Sequence, residues 1–79
     1  MDELAKKLGK KLRSRRTELK ITQDDLANDA DIDRSYIGRI ERGQVKISVE
    51  ILYKLAPLLK CHPRDLLPDY PEQTPPTAE

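Results

Sequence analysis

Between Thr22 and Glu41 the chain reads TQDDLANDADIDRSYIGRIE, with apolar residues at Leu26, Ala27 and Ala30 and then at Ile37 and Ile40. Spacings of three and four are the period of a helix, and Thr22 and Asp33 each stand ahead of one group as capping residues. The interval leaves room for two short helices and a tight turn. Neither helix is long enough to hold itself together in water, so both must lean on apolar stripes elsewhere in the chain.

Those stripes are present. Leu4, Leu8 and Leu12 recur every fourth residue and Leu19 follows, which predicts a first helix over about residues 2–20 with one buried face. Thr22 is placed to cap a second helix, with Asp24 and Asp25 in the first turn where the helix dipole favours acids. This helix is expected to end near Asn28 or Asp29 and to bury Leu26, Ala27 and Ala30. Asp33 caps a third, held by Ile37 and Ile40 and closed by Gly43, a residue suited to the left-handed conformation that ends helices. Ser48 caps a fourth, whose inner face is expected to be Val49, Leu52, Leu55, Ala56 and Leu59, with Ile51 and Leu58 at its flanks. Pro57 falls inside that pattern and is expected to kink or divide the helix unless it is already near its end. Pro63 opens a fifth short helix through Leu67. From Pro68 onward PDYPEQTPPTAE holds four prolines and no periodic apolar residue, the composition of a disordered tail. The expectation is an all-α, five-helix domain over residues 1–67 and a tail over 68–79.

With 79 residues there is room for one economical core. Charged residues make up 37% of the chain and aromatics 4%, a balance that favours helices with wet outer faces over a sandwich or barrel. No window approaches the ~20 apolar residues of a membrane span, and the chain is expected to be cytoplasmic. One cysteine cannot form an internal disulfide, and one histidine with one cysteine makes no zinc cluster, so neither metal nor cofactor is expected. Cys61 reads as a small apolar core residue and His62 as a capping or exposed one. Catalysis is not expected either, because no nucleophile has an adjacent base and no glycine loop is suited to cradling phosphate.

The formal charge of +1 conceals segregation. Residues 1–20 carry eight Lys or Arg against three acids, residues 21–33 carry five Asp and no base, and residues 34–46 return to four bases against one acid. Phosphates respond to a local basic face within a Debye length of ~8 Å rather than to the sum.

On the third helix, Ile37 and Ile40 define the buried line, and Arg34, Ser35, Gly38 and Arg39 fall largely away from it. Arg34 and Arg39 carry the fork that matches guanine O6 and N7, Ser35 can donate to or accept from several bases, and Tyr36 can reach a phosphate or a thymine methyl. These four are the candidate base readers of a DNA major groove. The bare backbone at Gly38 fits close approach to a groove or tight packing inside the protein. Gln23, at the start of the second helix, and Arg42, Gln44 and Lys46, after the third, are the candidate phosphate contacts. The five Asp residues are expected to point away from DNA.

The segment ITQDDLANDADIDRSYIGRIERG resembles the helix-turn-helix of the lambdoid repressor and Cro family, also called the Xre family. The TQ-x-x-LA opening, the SYI-x-x-IERG close and the L-x-x-LA of the fourth helix carry the likeness, which runs from about Leu8 to Leu67. It implies a double-stranded DNA operator as partner, a phosphate contact at Gln23, base contacts at Arg34, Ser35 and Arg39, and backbone contacts at Arg42 and Lys46. It also implies a structural ion pair between Arg16 and Glu41. The sequence departs from the family at Asp31, where glycine is usual; aspartate tolerates a left-handed backbone better than most residues, so the turn is expected to form at some cost. The small size and the DRSYI-x-x-IERG wording are also similar to the controller proteins of restriction–modification systems.

One helix reads too few base pairs to find a site in a genome, so a homodimer on a near-palindromic operator is expected, with Leu66 and Leu67 as interface residues not fully needed by the core. RNA polymerase is a possible further partner. The alternative is a helix-turn-helix used as a scaffold for protein contacts, as in an antitoxin or adaptor.

Overall fold

The computed structural model describes residues 3–69. Four α-helices follow one another, α1 (Glu3–Glu18), α2 (Gln23–Ala30), α3 (Arg34–Glu41) and α4 (Val49–Leu58), and a 3-10 turn over Pro63–Leu66 closes the chain. Among the described residues the fold is wholly helical. The expected fifth helix is thus a four-residue turn, and Leu67 after it already has extended backbone. The expected proline-rich tail lies outside the described residues beyond position 69.

Helix starts follow local side-chain chemistry. The Thr22 hydroxyl accepts from the Asp25 N–H at 3.0 Å while the Asp25 carboxylate accepts from the Thr22 N–H at 3.3 Å, which satisfies two donors at the start of α2. Ser48 accepts from the Ile51 N–H at 3.1 Å at the start of α4. Asp33 departs from expectation. It stands at the start of α3, but its carboxylate takes no backbone N–H there and instead accepts the Ser35 hydroxyl.

All four α-helices end in the same way. Lys20, Asp31, Gly43 and Lys60 have φ of 59°, 58°, 73° and 56°. In each case the left-handed residue donates to the carbonyl three back and its successor to the carbonyl five back, as in Gly43 to Ile40 and Gln44 to Arg39. Three of the successors, Ile21, Ile32 and Cys61, are apolar and pack against the core. Burial of these side chains holds Lys20, Asp31 and Lys60 in a backbone region that costs an L-residue about 1–2 kcal/mol. Pro57 sits in the last turn of α4, where the helix was about to stop, and its carbonyl accepts from Lys60.

The core is built from Leu8 and Leu12, Leu26, Ala27 and Ala30, Ile37 and Ile40, Leu52, Leu55, Ala56 and Leu59, with Leu66 closing it. α3 packs on both α1 and α2, and α4 packs on α2 and the final turn. Two expected core residues lie outside: Leu4 is 55% exposed and Val49 69%. Each occupies the first turn of its helix. Gly43 meets α1 at Lys6, so the turn carrying Leu4 projects past the end of α3. Cys61 is half-buried with a free thiol, and burial pushes its pKa above the ordinary value while the Arg15 guanidinium works against that rise. Among the described residues no helix is long and apolar enough to cross a membrane.

Candidate nucleic-acid interface

α3 hangs from the core by Ile37 and Ile40, which are 0% and 1% exposed. Arg34, Ser35 and Arg39 are exposed on its other side, and Tyr36 is half-buried beside them. The Arg39 guanidinium carbon lies 5.8 Å from the Tyr36 ring centroid, within cation–π range, so the ring restrains that side chain. Gly38 is not open to solvent as its position on the helical wheel suggested. It is buried, and an added Cβ would come 3.2 Å from a terminal nitrogen of Arg42. Arg42 folds back over the bare backbone of Gly38, and its Nε donates to Gln44 Oε1 at 3.3 Å. What covers Gly38 is thus the end of an exposed, flexible side chain, and close approach to a groove stays open beside tight packing.

The far end of α3 is locked to α1. Arg16 Nε and Nη2 donate to the two Glu41 oxygens at 2.6 and 3.0 Å, and Arg16 Nη1 donates to the Ile21 carbonyl at 2.8 Å. Gln23 joins the same group, its Nε2 donating to Glu41 Oε1 at 2.9 Å. One carboxylate therefore ties together α1, the start of α2 and the end of α3, with both of its oxygens accepting charge-assisted bonds. Gly9 makes this approach possible. A Cβ there would fall 2.3 Å from the Ile40 carbonyl oxygen and 2.8 Å from that of Glu41. Sequence reasoning missed Gly9, whose helical setting gives no local reason for glycine; its spacing from Leu8 and Leu12 on the buried stripe was the available signal.

Two of the five aspartates of residues 21–33 touch candidate base readers rather than pointing away. Asp24 Oδ1 lies 2.7 Å from Arg34 Nε, and Asp33 accepts the Ser35 hydroxyl. Asp33 immediately precedes α3, whereas Asp24 reaches its first residue from the first turn of α2. Asp25 serves the α2 cap and Asp31 the left-handed turn. Lys46 is exposed in the segment after α3. Gln23, Asp24 and Arg34 share the wall of a shallow recess with Lys20 and Thr22, at the junction of α1 and α2.

Leu66 needs correcting as an interface residue. It is 1% exposed and belongs to the core, because the 3-10 turn rotates it inward, whereas its neighbour Leu67 is 45% exposed. Leu67 borders an apolar groove with Leu4, Ala5, Leu8, Ile47 and Pro68. Arg15 is a second residue the sequence did not single out: its Nε and Nη2 donate to the Leu59 and Lys60 carbonyls at 2.9 and 2.8 Å and so stopper the end of α4. Among the described residues no group of three His, Cys, Asp or Glu is gathered to hold a metal ion.

A capped helix, a left-handed turn and a second helix fixed by two isoleucines, with arginines on its outer side, define the DNA-binding unit of a helix-turn-helix transcription regulator. The chain belongs to this helix-turn-helix family, of the Xre type, with residues 12–66 matching it. It is similar to Control protein C.BamHI of Bacillus amyloliquefaciens, with 37% identity over 60 residues that cover 75% of this chain and 74% of the relative. Its fold is similar to that of the restriction-modification controller protein C.AhdI from Aeromonas hydrophila, with a TM-score of 0.77 and 41% identity, covering 80% of this chain and 96% of that one. A third controller protein, C.Esp1396I, was solved as a tetramer in complex with its natural 35 base-pair operator; the TM-score is 0.76 and the identity 27%, covering 84% of this chain and 87% of that one. All three are named as control or controller proteins.

Proposed function

We propose that this chain is a sequence-specific, double-stranded DNA-binding regulator that places α3 in the major groove of a near-palindromic operator as a homodimer. The observation that carries this is the mounting of α3: isoleucines inward, Arg34, Ser35 and Arg39 outward, and the helix end fixed by a buried ion pair. Arg34, Ser35, Tyr36 and Arg39 contact base edges, and Gln23, Arg42, Gln44 and Lys46 contact the phosphates that flank them. Gln23 is steadied by Glu41 and stands at the start of α2, where backbone N–H groups favour an anion.

Two recognition helices about 34–36 Å apart enter successive major grooves on one face of the duplex, and the pairing surface is the apolar groove beside Leu67. The likeness to controller proteins supports a role in the control of a restriction–modification system in the cytoplasm. Protein concentration sets occupancy, and a protein-bound operator that overlaps a promoter then blocks or recruits RNA polymerase.

Selection of bound sequences from random duplex DNA tests the reading. A palindromic consensus with half-sites one helical turn apart is expected, and affinity should fall steeply with salt. Arg39→Ala should relax preference at one base-pair position, whereas Lys46→Ala should weaken all sequences alike and reduce the salt slope by about one. Leu67→Glu should shift the sedimenting species toward monomer. Recovery of random sequence from the selection would defeat the proposal.

A further inference from the structure

We propose that Asp24, on α2, is a positioning residue for base reading. Its carboxylate holds Arg34 by the Nε edge and leaves the two terminal guanidinium nitrogens to meet a base, so discrimination at the base pair read by Arg34 depends on both residues. This rests on the reading above that Arg34 reaches a base edge.

The ion pair joins the first turn of α2 to the first residue of α3, with Arg34 Nε 2.7 Å from Asp24 Oδ1. Both side chains are well exposed, at 64% and 68%, so water screens the pair: it contributes little to stability and biases the Arg34 side chain without fixing it. Against DNA the carboxylate is a liability, because phosphates repel it and general affinity for duplex is lowered. Its benefit lies elsewhere. An arginine side chain free to rotate loses that freedom when it binds, and restraining it beforehand removes part of the loss. Restraint also limits which acceptors the guanidinium can reach. A fork that is anchored along one edge is suited to the paired acceptors of guanine in one orientation, while a mobile one can settle on a nearby phosphate, which carries no sequence information. Asp33 and Ser35 repeat the arrangement one residue further along, where a carboxylate accepts the hydroxyl of another candidate base reader.

A first-turn acid can also serve only the α2 dipole. That role predicts a small change in stability on substitution and none in base preference. The two are separated by measuring binding of the full chain to duplexes varied at each position of the selected operator. The proteins compared are the native chain, Asp24→Asn, Asp24→Glu, Arg34→Ala and the Asp24→Asn, Arg34→Ala double variant.

Asp24→Asn should bind unrelated duplex more tightly at low salt, yet lose about three- to tenfold of its discrimination at the one position where Arg34→Ala loses it. Asp24→Glu, which keeps a carboxylate within reach, should recover much of that loss. Added to Arg34→Ala, Asp24→Asn should change nothing further at that position. If Asp24→Asn keeps full discrimination where Arg34→Ala loses it, the positioning role is overturned and the base-reading assignment stands. If Arg34→Ala itself leaves discrimination intact, both are overturned.

Discussion

Two arginine–carboxylate pairs of nearly equal length sit at opposite ends of α3. Arg16 and Glu41 meet at 2.6 Å with side chains 11% and 3% exposed, whereas Arg34 and Asp24 meet at 2.7 Å with 64% and 68% exposed. Length says nothing about what each pair does; desolvation does. Inside, neither partner can turn to water if the other is removed, so the Arg16–Glu41 pair fixes the geometry of three elements at once. Outside, each partner has water or another ligand to turn to, and the pair can orient a side chain without committing the fold to it. The same helix is thus rigid where it is held and adjustable where it is expected to meet its ligand.

Breaking the inner pair should have the largest effect. Glu41→Ala leaves the Arg16 guanidinium and the Gln23 amide without their carboxylate and should cost about 3–5 kcal/mol in urea unfolding. The double change Arg16→Met, Glu41→Leu should cost less than the single one, since it leaves no uncompensated charge. A native-like midpoint for Glu41→Ala would show that the buried pair is not the tie described here.

Gly9→Ala approaches the same joint from the backbone side, wedging α1 away from the Ile40 and Glu41 carbonyls; a loss of about 1–3 kcal/mol is expected, seen as a lowered denaturation midpoint. Asp31→Gly should work in the opposite direction. It relieves a left-handed φ of 58° and should gain about 1 kcal/mol by the same measurement, less the extra freedom glycine brings to the unfolded chain. At the outer pair, Asp24→Asn should move stability by no more than about 0.5 kcal/mol while changing base preference. A stability loss there comparable to that of Glu41→Ala would erase the contrast between the two ends.

What could be read from the chain and what could not divides along the same line as the two pairs. Thr22 with Asp25, Ser48 with Ile51 and the left-handed Gly43 involve partners within a few residues, and their chemistry announces helix ends in the order of the chain. The ion pair of Arg16 and Glu41 spans 25 residues, and only resemblance to a family suggested it. Leu66 and Leu67 are neighbours of identical chemistry, yet the first closes the core and the second faces solvent, because a 3-10 turn rather than an α-helix sets their directions. Val49 fits the period of α4 and still lies outside, since among the described residues no other element covers that turn. Asp33 has the chemistry of a cap, but a hydroxyl two residues on takes its carboxylate instead.

Within the candidate site, Arg34, Ser35 and Arg39 could be placed on the outer side of α3 from the spacing of two isoleucines alone, because a helix has one period and a buried line leaves the opposite side free. Which acids stand beside them could not. That depended on how α2 packs on α3. Periodicity and capping are properties of neighbouring residues, so the amino-acid order determined the helices and their outer faces by itself. The partners of Arg34, Gln23 and Glu41 were decided only in three dimensions, where side chains distant in the chain compete for the same few ångströms.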